Sequence, residues 1–121
     1  MNKYTLKQCL EIRMGLVTLS ESKMLGLQNA YAVAHNMRSL EGISSDFEET
    51  RRVESEKLQK LADEEGNVKK EVYDKFAGEL TKLLEKDHKV DLKKLDFTGM
   101  DEIDVTAQTL AQVMDILDYA K

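Results

Sequence analysis

The sequence predicts a mostly α-helical fold: a long antiparallel helical hairpin, with short N-terminal and C-terminal helices packed at its base. Three observations carry that expectation. Apolar residues recur at steps of three and four over most of the chain. Proline is absent, so nothing forces a helix to break. The pair Gly66–Asn67 interrupts a long charged stretch, 46–76, and supplies the turn of a hairpin. The 121 residues, 41% hydrophobic and 34% charged, suit one helical domain over 1–121, with its tip near 62–70 and an acidic C-terminal segment at 96–121.

The first helix is expected over 5–19, opening after Thr5, with Leu6, Cys9, Leu10, Met14 and Val17 on one face. Ile12, Leu16 and Leu19 widen that face, so the helix should be covered on more than one side. Ser20-Glu21-Ser22 reads as a stop and restart, with either serine able to cap a second helix starting near Lys23. Along that helix Ala30, Val33, Met37, Leu40, Ser44 and Phe47 form a heptad seam, and Leu58 and Leu61 rejoin its frame after the polar positions Arg51 and Glu54. Because the frame survives across Gly42, the helix is expected to continue through it, although glycine costs about 1 kcal/mol relative to alanine.

The charges of the tip favour helix over disorder. Glu48–Arg52, Glu56–Lys60 and Glu71–Lys75 all place acid before base at a spacing of four. Residues 46–70 hold eight acids and six bases, so they do not repel one another like a tail of one sign. Gly66 is expected to cap the long helix and Asn67 to open the next, where Val68, Val72, Phe76, Leu80, Leu83 and Leu84 make an apolar face. Residues 88–97 alternate and read as a short extended segment whose pairing partner is not evident. Thr98-Gly99 reads as a turn, Thr106 as an N-cap, and Leu110, Val113, Met114 and Leu117 as the inner face of a last helix.

In this order, a short apolar helix, a long charged helix, a Gly-Asn turn, a second helix, "VDLKKLDF" and "DEIDVTAQTLAQVMDIL", the layout resembles small helical accessory proteins of tailed bacteriophages. The resemblance implies a helical interaction protein of phage or prophage origin, acting in the host cell cytoplasm, and carries over no catalytic residues.

Net charge is 18 − 23 = −5. The excess lies wholly in the last quarter, in Asp96, Asp101, Glu102, Asp104, Asp115 and Asp118 against Lys121. No basic stripe is present to grip phosphates, so direct nucleic-acid binding is not expected. No stretch reaches the ~18–20 apolar residues that span a bilayer, and the amphipathic helices lack a lysine-rich face for a membrane surface. Cys9 stands alone in an apolar context and reads as a core residue of an intracellular protein.

Chemistry-bearing constellations are sparse. His88 in "DHKVD" has only carboxylates beside it, a poor zinc set, and His35 lies alone on the long helix. "DFTGMDEIDVTA" has glycine at its fourth place and ends in Ala107, which excludes an EF-hand. No metal, cofactor or catalytic residue is therefore assigned. The expected function is a non-catalytic protein-interaction module that binds a host protein, a phage protein or its own copy through Ala30, Val33, Met37, Leu40 and Phe47. The alternative is an inhibitor that presents Asp101, Glu102, Asp104, Asp115 and Asp118 to the basic groove of a nucleic-acid-binding enzyme. A small enzyme is the remote third reading.

Overall fold

The structure is a computed structural model, and it describes residues 2–97 and 104–117. It is mostly helical: β1 (Asn2–Thr5), α1 (Leu6–Leu19), α2 (Leu27–Lys60), α3 (Lys70–Leu84), β2 (Asp87–Val90), α4 (Ala107–Gln112) and a 3-10 turn, Met114–Ile116. α2 and α3 form the hairpin, and α1 and α4 lie at its base. At 1.5 Å per residue α2 is about 50 Å long. It runs through Gly42 without interruption, as the frame of its apolar residues predicts.

α1 opens on a capping box that holds both ends of Thr5. The Gln8 N–H donates to the Thr5 hydroxyl at 3.1 Å, and the Thr5 N–H donates to the Gln8 side-chain oxygen at 2.8 Å. The buried stripe of α1 is Leu6, Cys9, Ile12, Leu16 and Leu19. Met14 and Val17, expected inside, are exposed, because two helices already cover the opposite flank. α4 comes so close that a Cβ built on Gly15 would sit 2.6 Å from Val113 Cγ1.

The extended segment near 88–97 finds its partner at the N-terminus. β1 and β2 pair antiparallel, Asn2 opposite Val90 and Thr5 opposite Asp87, and the Leu6 N–H continues the ladder to the Lys86 carbonyl at 2.8 Å. Tyr4 and Val90 enter the core from this ribbon. Residues 91–96 then run along α2, held by buried asparagines. The Asn36 side chain accepts from the Lys93 N–H at 2.7 Å and donates to the Lys93 carbonyl at 2.8 Å. One heptad earlier, Asn29 does the same for Asp96, at 2.9 and 2.8 Å. Each amide therefore behaves as a piece of β-strand backbone.

Three further expectations are corrected. α2 begins at Leu27, not near Lys23, and has no side-chain cap. Ser20 instead donates back to the Val17 carbonyl, and Ser22 donates to Asp104. At the tip, α2 ends at Lys60 and α3 starts at Lys70, so Gly66 and Asn67 cap neither helix. The Asp63 carboxylate takes the N–H groups of Glu65 and Asn67, both at 2.9 Å, and this turn is what needs Gly66 at φ 83°. Finally, the last helix stops at Gln112, and Met114 is exposed while Thr109, Val113 and Ile116 are buried. The Leu95 N–H takes the Ile116 carbonyl at 2.8 Å and Leu117 bridges Leu95, which draws the chain into extended form.

The ion pairs of the tip are re-sorted as well. Arg51 binds Glu48, Arg52 binds both Glu49 and Glu56, and Lys57 binds Glu54. All are exposed, so each contributes ~0–1 kcal/mol and none fixes the fold.

Candidate functional site

The expected partner seam divides at Ser44. Val33 and Leu40 are 2% and 1% exposed, packed into the core with α1 and Leu95, so a partner does not reach them. Ala30 is exposed, Met37 is half-buried against the core, and Phe47 is half-buried where the hairpin leaves the base. Among the described residues, α2 has no buried residue after Ser44 and α3 has none at all.

That emptiness defines the surface. Of the face that the spacing predicts, Val68 falls in the turn before α3, and Val72, Phe76, Leu80, Leu83 and Leu84 lie on the helix, yet all remain half-buried. Across from them lie Ile43, Phe47 and Leu58 of α2 and Leu61 just past its end, the last 62% exposed. Two helices cover only one side of each other's apolar stripe, so an apolar trough runs along their junction. Its foot is a cleft of about 180 Å³ between Leu6, Phe47, Leu83 and His88. A middle cleft of about 230 Å³ lies between Thr50, Phe76, Leu80 and Leu83. A distal one of about 120 Å³ lies between Leu58, Leu61, Val72 and Phe76. Shared walls, Thr50 and Leu83 below and Phe76 above, make the three continuous.

Charged side chains rim this trough with alternating sign. From foot to tip, the α2 wall carries Asp46, Arg51, Glu54 and Lys57, and the opposite wall carries Lys86, just past the end of α3, then Glu79 and Lys75 on α3. A larger hollow of about 700 Å³ on the solvent side of α2 is bounded by that one helix, with Glu48, Arg52 and Glu56 on it, and encloses nothing.

The acidic candidates do not assemble into one site among the described residues. Asp101, Glu102 and Asp118 lie outside them. Asp104 accepts from the Ser22 hydroxyl and from the Lys23 N–H at 3.4 Å. Chiefly through the Ser22 hydrogen bond, its carboxyl is held below the usual carboxylate range. Asp115 is exposed, with its carboxylate accepting from Gln8 Nε2 at 3.3 Å and its carbonyl accepting from Lys94 Nζ at 3.0 Å. These two acids join α1 and the turn after it to the C-terminal segment.

The other polar candidates fall at separate places. Cys9 is 1% exposed, and burial pushes its thiol pKa up, which suits an inert core residue. His35 reaches the Asp91 carbonyl at 3.1 Å and helps hold the extended segment. His88 lies on β2 with Nε2 buried and unpaired. Among the described residues no three His, Cys, Asp or Glu side chains converge as metal ligands, and no helix is long and apolar enough to cross a membrane.

Sequence reasoning passed over Asn29 and Asn36, because polar residues in a helix read as surface. Their signal was their spacing: seven apart, they continue the stripe of Val33, Leu40 and Ser44. No protein-family model matches the chain, and no curated protein or solved structure matches it either.

Proposed function

We propose that the protein is a non-catalytic interaction module whose working surface is the trough between α2 and α3. The single observation that carries this reading is the state of α3: a continuous apolar face on a 15-residue helix with no buried residue. Such a face is stable in water when a further amphipathic helix covers it, with side chains at i, i+3, i+4 and i+7 entering the clefts. Phe76, Leu80 and Leu83 would carry affinity, and the alternating rim would select the partner. The long helix and the rigid base serve to hold this arm out. The layout's resemblance to phage accessory proteins fits the same role.

A photo-crosslinking residue in place of Leu80, compared with one in place of the exposed Arg38, tests the reading. Crosslinks to an apolar helix face should form from position 80 and not from position 38. Equal yields from both, or none from position 80, would refute it.

A further inference from the structure

The occupant of the trough is the next question, and this inference rests on the interaction reading above. A two-helix arm with one apolar trough is half of a four-helix bundle. The missing half must be two helices of similar length with a matching rim. We infer that the trough is covered by the same trough of a second copy, arms antiparallel about a two-fold axis.

The rim charges carry the argument. Along the α2 wall they read minus, plus, minus, plus: Asp46, Arg51, Glu54, Lys57. An even alternating series is complementary to its own reverse. Inversion about a point between Arg51 and Glu54 sets Arg51 of one copy beside Glu54 of the other, and Asp46 beside Lys57. On the α3 wall the point between Lys75 and Glu79 sets these two facing each other across the axis, and Lys86, past the end of α3, lies outside the paired stretch. Glu54 and Glu79 line both the middle and the distal cleft, so the two points lie within about one helical turn of each other along the arm and one axis serves both walls. A parallel two-fold would instead face the α2 wall with the partner's α3 wall, setting Lys57 against Lys75 and Glu54 against Glu79. Isologous contact of this kind closes on itself and produces a dimer rather than a fibre. In the single chain Arg51 and Lys57 bind Glu48 and Glu54 on their own helix, at 2.8 and 3.2 Å. These exposed pairs are weak enough to be shared with a neighbour. Apolar burial supplies the affinity, and the charges set direction and register.

Sedimentation equilibrium of the whole chain, with circular dichroism as the check on folding, tests the inference. The natural protein should be a dimer. Arg51→Glu and Glu54→Arg alone should each weaken the dimer on the order of tenfold, because symmetry applies each change twice. The double exchange should restore it, since the charges then meet in reversed sense. If the charges mattered only within the helix, the double variant would be no better than either single one, and that result overturns the axis. A folded chain that stays monomeric at all concentrations overturns self-pairing. In that case an anilinonaphthalene sulfonate dye decides the parent reading separately. Binding that is lost in Leu80→Glu leaves the trough as a surface for another protein, and no binding removes the trough altogether.

Discussion

Asn36 has no exposed surface, and its side-chain oxygen is the acceptor that holds the Lys93 N–H among the described residues. Removing it leaves both backbone groups of Lys93 without that partner and a hole in the core. Asn36→Ala should cost roughly 2–4 kcal/mol, read as a lower midpoint in urea with unchanged slope. Asp104 belongs to the same scale. Its folded pKa is depressed below 3.8, so the stability it contributes is present above that value and lost as pH falls through the lower folded one. Asp104→Asn should therefore melt below the natural protein at pH 6, and the gap should close toward pH 2. A gap that persists in acid would show that the carboxylate charge is not what the Ser22 hydrogen bond uses.

At the scale of elements, two glycines have opposite meanings. Gly42 lies inside α2, where an added Cβ meets nothing within 4 Å. Alanine there should stabilise by about 1 kcal/mol. Gly66 also has open space around it, but its φ is 83°. Alanine there should destabilise by roughly 1–2 kcal/mol, through backbone strain alone. Thermal melts of the two variants should move in opposite directions. Both elements were legible beforehand for physical reasons. Helical phase is conserved across a single weak residue, and a Gly-Asn pair amid charges marks a turn. What was not legible was the capture of that turn by Asp63, because an aspartate followed by two glutamates looks like one more solvated acid. The N-terminal strand was hidden in the same way, since four residues carry too little alternation to be read without their partner.

For the whole molecule, burial is graded along the long axis. The core cluster draws on β1, α1, the first half of α2, β2, Leu95, Val113 and Ile116, while the arm beyond Ser44 contributes no buried residue. Local opening follows local burial. Hydrogen exchange, measured dilute enough to keep chains single, should be at least about tenfold faster in 48–58 and 73–82 than in 30–42. Uniform protection along α2 would contradict this gradient. Raising the concentration should then slow exchange in the arm first, if copies pair there.

Local chemistry was enough for the sequence to determine the helices, their order, the passage through Gly42, the turn near Gly66 and the apolar face of α3. Each follows from hydrophobic phase, backbone propensity or a cap within a few residues. Only the tertiary structure decided which apolar residues are used up. Val33 and Leu40 vanish into the base while Phe76 and Leu80 stay half-open, though all four look alike along the chain. The reason is that burial depends on what arrives from far away in sequence: residues 91–96, brought back by two asparagine amides, cover one half of the long helix and not the other.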